Sequence, residues 1–206
     1  MPNNPDLAYL RSVAESGQQA PSLAGRFFIW WGGLAAPALL AHWAIITGLA
    51  GIDPSLVGFV WMAYGIVGTI GSVLLRRALR NKPGTGAINN RGEGAVWNGV
   101  MGLIAAYAIG AVVALMAGRG DLILFDTIPL VAFGGYGVSF WVSSSLGGPR
   151  WMQPMAILAW LASGAGMYLV GTPGLYLYSA AAVAVLALVP GLVLLRGEPA
   201  AEAEAG

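Results

Sequence analysis

The chain has 206 residues, of which 57% are hydrophobic and only 9% charged, against about a quarter charged in soluble domains, and its mean hydropathy is +0.72. That balance excludes a water-soluble globular domain, and a formal net charge of +1 gives nucleic-acid binding no support. Cys 0 removes disulfides, thiolate metal sites, iron–sulfur clusters and cysteine nucleophiles together.

The chain begins with a polar lead. It carries Asp6 and Glu15 ahead of the first apolar run, not a short basic segment, so no secretory signal peptide is expected and the first run is retained. Within it, Asn4 is an N-cap, Pro5 suits the first turn, and Leu7, Leu10, Val13 and Ala14 share one helical face. A short interfacial helix is therefore expected inside 1–26, lying on the bilayer or against the loops on the same side.

Six apolar stretches follow, at 27–50, 56–75, 95–117, 122–142, 152–170 and 174–195. Each is about 20 residues, the length that crosses roughly 30 Å of hydrocarbon at helical rise. The predicted fold is all-α: a polytopic bundle of six transmembrane helices over 27–196, with a disordered tail over 197–206. The fourth stretch is the least regular, because it holds Asp126 and Pro129 and ends in Ser143, Ser144 and Ser145, which read as a cap and turn. Pro37 and Pro129 sit at comparable depths in the first and fourth stretches, but their surroundings do not align well enough to define an inverted repeat.

Basic residues near helix ends are retained in the cytoplasm. With the N-terminus inside, Arg11, Arg26, Arg76, Arg77, Arg80, Lys82, Arg91, Arg150 and Arg196 all fall inside and only Arg119 falls outside. Trp30, Trp31, Trp97, Trp141 and Trp151 are expected as aromatic anchors at the inner ends, and Tyr168, Tyr176 and Tyr178 mark the outer face. The loop from Arg76 to Arg91 is the main topology determinant. It has neither Walker A spacing nor a dinucleotide fingerprint, and cytoplasmic retention explains its charge without a ligand. The preference for Arg over Lys fits GC-rich coding and a bacterial source, hence an inner membrane with both termini cytoplasmic.

Two sets of residues stand out inside the apolar stretches. In the third, Asn98, Gly102, Ala106, Gly110, Ala114 and Gly118 recur every four positions, a small-residue ridge expected to pack against another helix, with Asn98 as an interhelical hydrogen bonder. The second stretch adds Gly65, Gly68, Gly71 and Ser72. His42 and Asp126 are the clearest ionisable residues, and their matched depth below the outer surface predicts near neighbours, serving either as a structural lock or as a proton or cation site.

Enzyme signatures are absent: there is one His, no HExxH, no GxSxG and no intramembrane carboxylate pair at helical spacing. No metal or cofactor is expected, and haem held by two histidines is impossible within one chain. The expected role is a non-enzymatic accessory, sensory or scaffold subunit whose partners are the lipid bilayer and a protein or second copy. The alternative is a small-solute or ion transporter coupled to protons. The two differ in whether His42, Asp126, Tyr64, Tyr107 and Tyr136 converge on one place or scatter.

Overall fold

In lipid, a long apolar run has to bond its own backbone, and the described residues form helices and turns with no strand. The computed structural model describes residues 22–80, 82, 85 and 87–198. The expected lead helix and the tail from 199 onward lie outside the described residues.

Helix α1 is Gly25–Ile46, with Pro37 inside it, and it stops short of the expected boundary where the Thr47 hydroxyl turns back to the Trp43 carbonyl at 2.8 Å. Helix α2, Val57–Leu79, follows a 3₁₀ turn at Pro54–Leu56 that Asp53 caps by accepting from the Ser55 amide at 2.8 Å. Helix α3 is Ile88–Met116. The fourth stretch divides into a helical turn, Ile123–Asp126, and helix α4, Ile128–Ser145. Pro129 has no N–H to continue the ladder from the preceding turn, and the Thr127 hydroxyl bonds the Leu124 carbonyl at 2.7 Å instead. Pro129 thus opens a helix whereas Pro37 lies within one, and the two are not equivalent. Helix α5, Met152–Gly166, continues as a 3₁₀ turn through Leu169. Helix α6, Gly174–Arg196, contains a π-helical segment at Ala184–Leu188 just before Pro190, a common accommodation where the ladder loses a donor.

Among the described residues, five helices are long and apolar enough to cross a membrane: α1, α2 with its leading turn, α3, the run Ile123–Ser145, and α6. The remaining expected crossing, the fifth at 152–170, corresponds to α5, which has 15 residues of α-helix. Helices α4 and α5 share the most extensive contact, α3 lies on α4, and α1 lies between α2 and α6. Phe133, Phe140, Met152, Leu175 and Leu186 are fully buried at the centre. Helices α2 and α3 are peripheral, with 17% and 11% of their apolar windows buried against 44% for α6.

The small-residue ridge of α3 is not a packing seam among the described residues. Gly102, Ala106 and Gly110 are exposed, and a Cβ added at Gly102 or Gly110 would meet nothing within 4 Å. Ala114 is half-buried, and Gly118, at φ +67°, ends the helix in the left-handed conformation instead of extending the ridge. The α3 face turned inward carries Glu93, Trp97, Val100 and Ala111. Close backbone approach occurs instead between α1 and α6, where Gly25 meets Gly191 and Gly32 meets Ala187. On α2, Gly68 and Gly71 make room for the rings of Trp31 and Trp30, and the Trp30 indole donates to the Gly68 carbonyl at 3.1 Å. These tryptophans are packing groups between helices as well as residues near helix ends.

Glu198 draws three parts of the chain to one end of the bundle. Its side chain, 6% exposed, pairs with Arg26 at 3.0 Å and Lys82 at 2.9 Å. The start of α1, the α2–α3 loop and the end of α6 therefore meet, and Glu198, within the expected disordered tail, is tied down by charge. Burial alone would raise its carboxyl, but the hydrogen bonds and positive charge of Arg26 and Lys82 outweigh that and hold it below the ordinary carboxylate value.

Candidate functional site

Polar side chains gather at the two ends of the bundle, and the two groups differ in how completely they are bonded. At the end far from Glu198, His42 lies four residues before the end of α1 and is 7% exposed. Its Nδ1 accepts from the Trp61 indole of α2 at 2.9 Å, so a neutral His42 carries its proton on Nε2. The Tyr176 ring of α6 stacks on the imidazole with centroids 3.6 Å apart. Tyr176 in turn donates a short hydrogen bond to Asp126 Oδ1. Asp126 Oδ2 accepts from the Gly171 amide at 2.9 Å, in the loop before α6, where Gly171 holds φ +81°.

This array joins α2, α1, α6 and the approach to α4 through one aromatic–carboxylate chain. His42 and Asp126 share an end of the bundle, as their matched depth predicts, but they are not directly paired. No hydrogen bond or ion pair links them among the described residues, because Tyr176 engages both. Depth along a helix says nothing about which side chain from a third helix stands between two others. The tautomer also bears on chemistry: a ring whose Nδ1 lone pair is taken by an indole N–H and whose Nε2 is protonated offers no free lone pair to a metal or haem iron.

The remaining expected residues divide. Tyr64 packs edge-on against Trp31 and Trp61, while Tyr136 packs against Trp97 and Phe133, so both belong to the interior aromatic column. Tyr107 stands apart, exposed on α3 and bonded to Thr127 at 2.8 Å. Asn98 Oδ1 accepts from Arg76 of α2 at 2.6 Å. Arg77, Arg80 and Arg91 are exposed, and Lys82 is held by Glu198.

The second polar group, near the Glu198 end, was not singled out from sequence. Glu93 on α3 is 7% exposed. Its Oε2 accepts from the Ser22 hydroxyl at 2.8 Å, whereas Oε1 has no partner among the described residues. Among the described residues the Trp97 indole N–H, one turn along α3, and the hydroxyls of Ser139, Ser143 and Ser144 on α4 are also buried without partners. The register across α3 and α4 explains the grouping: Gly92 lies against Leu146 and Val100 against Gly135. In this antiparallel pair Glu93 falls opposite Ser143, and Trp97 opposite Ser139. The available signal was polar residues four apart on each helix, Glu93 with Trp97 and Ser139 with Ser143, a spacing that puts each pair on one face.

No family model, curated protein or solved structure matches the chain.

Proposed function

We propose that this is a six-crossing inner-membrane protein of non-enzymatic character, an accessory, sensory or scaffold subunit that works through protein contacts in the bilayer. The observation that carries this reading is the closure of the His42–Asp126 array. Trp61, Tyr176 and the Gly171 amide occupy His42 Nδ1 and both Asp126 oxygens, which suits a lock holding four helical segments together better than an open substrate site.

Six crossings are supported by the ion pairs of Glu198, since an even number of passages between Arg26 and Glu198 returns the chain to the end where it began. Helix α5 with its 3₁₀ turn, Met152–Leu169, is the fifth of the six passages in this reading, slightly short and sheltered by α4. The basic residues gathered at the Glu198 end make that end cytoplasmic and the His42 end outer. The broad apolar faces of α2 and α3 are the surfaces offered to lipid and to a partner.

The test is purification from native membranes in mild detergent together with reconstitution of the chain alone. A stoichiometric protein partner, and liposomes without proton or solute flux, are the expected results. Flux by the chain alone that disappears in Asp126→Asn would refute the lock reading in favour of a proton-coupled transporter. The observation favouring that second reading is the buried carboxylate of Glu93, which lies at the opposite end from the lock.

A further inference from the structure

Glu93 poses a problem of charge. A carboxylate taken out of water is costly unless it is paired and hydrogen-bonded, yet among the described residues no cation faces it. Arg26 and Lys82 are engaged by Glu198, and Arg76 by Asn98. One oxygen has the Ser22 hydroxyl; the other has no partner among the described residues. The Ser143 hydroxyl of α4 faces the same carboxyl. Ser139 and Ser144 supply two more buried hydroxyls, and all of these atoms are sealed from solvent.

We propose that Glu93 and Ser143, with Ser139 one turn away on the same face of α4, form a binding site for one small monovalent cation. The stoichiometry of charge selects the class of ligand. A single carboxylate balances one positive charge, and hydroxyl oxygens provide neutral ligands of the hard type that alkali cations take. A divalent cation generally draws on more carboxylates, and no group of three His, Cys, Asp or Glu side chains occurs among the described residues. The Trp97 N–H cannot ligate a cation, but it can donate to a water that completes the coordination shell. The two helices that carry the site, α3 and α4, are joined by packed apolar contacts on either side of it, Gly92 with Leu146 and Val100 with Gly135, so the oxygens are held in place before an ion arrives. Ser22 closes the site from the segment preceding α1, which gives an ion at Glu93 a means of ordering the N-terminal approach to the bundle.

The competing state is a protonated Glu93 that donates a hydrogen bond and binds no metal ion. It predicts that the neutral isostere Gln behaves like the parent. The experiment uses the full chain purified in detergent and exchanged into choline chloride, then titrated with radioactive Na⁺ at constant ionic strength, with thermal unfolding followed in parallel. Saturable binding of one Na⁺ per chain is expected, accompanied by a rise in melting temperature that choline does not produce. Glu93→Gln should abolish both responses, while Asp53→Asn, which removes an exposed carboxylate far from the site, should keep both. If Glu93→Gln fails to fold, Ser143→Ala serves instead, with Na⁺ affinity expected to fall by about tenfold or more, the scale for losing a supporting group at a metal site. Absence of saturable Na⁺ binding by the folded parent, or unchanged binding in Glu93→Gln or Ser143→Ala, overturns the proposal. None of these outcomes bears on the lock at the other end.

Discussion

Substitution of Gly191 by alanine isolates the close backbone approach of α1 and α6. A Cβ at Gly191 would lie 2.8 Å from Ile29 Cγ1, 3.0 Å from the Gly25 carbonyl oxygen and 3.0 Å from the Ile29 amide nitrogen. Carbon atoms prefer about 3.5–4.0 Å, and two of these three neighbours are backbone, which cannot rotate away. Helices α1 and α6 must therefore move apart by several tenths of an ångström, and a gap of roughly 0.5–1 Å forfeits a quarter to a half of the dispersion well for each contact along the seam. Overpacking of this kind costs about 1–3 kcal/mol. Alanine also gains up to about 1 kcal/mol over glycine in helix propensity, which partly masks the loss. The matched control is Gly110→Ala on α3, which receives the same gain and meets nothing within 4 Å. The difference between the two variants, about 1–3 kcal/mol in favour of Gly110→Ala, is the packing cost alone. Equilibrium unfolding in mixed micelles measures it. If the two alanines shift stability equally, the assignment of the tight seam to α1 and α6 instead of to the α3 ridge is wrong.

Three further outcomes are expected. Tyr176→Phe keeps the ring stacked on His42 but leaves Asp126 Oδ1 without its donor, for a loss of about 1–3 kcal/mol read by the same unfolding assay; no change would show that the hydroxyl contributes nothing to the lock. Glu198 is held below its ordinary value, so its contribution is present above about pH 4.5, the unfolded carboxyl value, and is lost as pH falls through the lower folded value. Because Arg26 is 38% and Lys82 32% exposed, solvent screening limits that contribution to about 1 kcal/mol, and Glu198→Gln should lower stability at neutral pH while flattening the acid limb of the profile. Finally, Thr85→Cys should resist an impermeant thiol reagent in intact cells and react after permeabilisation; ready labelling of intact cells reverses the orientation.

Much of the architecture is legible in sequence because lipid imposes a simple rule. An apolar run of bilayer length has to be helical, and the runs from Phe27 to Leu195 correspond to helices with ends displaced by a few residues. Those displacements have local causes, such as the Thr47 hydroxyl closing α1 early and Pro129 dividing the fourth stretch at Thr127. Lateral arrangement is much less legible. A step of four small residues in α3 marks a surface that permits close approach, but Gly102 and Gly110 have no neighbour, whereas the seam at Gly25 and Gly191 depends on two segments far apart in the chain. The same limitation governs the polar sites. Burial of His42 and the position of Asp126 follow from hydropathy, while the interposition of Tyr176 depends on where α6 lies. Glu93 is not legible as a buried group because it stands at the polar edge of an apolar run, where a charge is usually solvated; in the fold it is 7% exposed and bonded to Ser22.

The contrast between the two polar groups bears on how such a bundle divides its work. At the His42 end the bonds run between different helices: Trp61 of α2 to His42 of α1, Tyr176 of α6 to Asp126 before α4, and the Gly171 amide to the same carboxylate. Removing any one of them loosens a junction of several segments, as expected of a lock. At the Glu93 end, Glu93 and Trp97 of α3 and Ser139 and Ser143 of α4 are unpartnered among the described residues, and neighbouring apolar contacts already hold those two helices together. Buried polar atoms that are not needed for packing and find no partner among the described residues represent a standing cost of about 1–3 kcal/mol each. Unless something from outside the chain offsets that cost, apolar residues at Ser139 and Ser143 would give a more stable α3–α4 pair. The Ser139→Ala and Ser143→Ala double variant should accordingly stabilise the chain in choline and erase its response to Na⁺. Destabilisation in choline would show that these hydroxyls bond within the protein after all, and would return the Glu93 end to the same structural role as the lock.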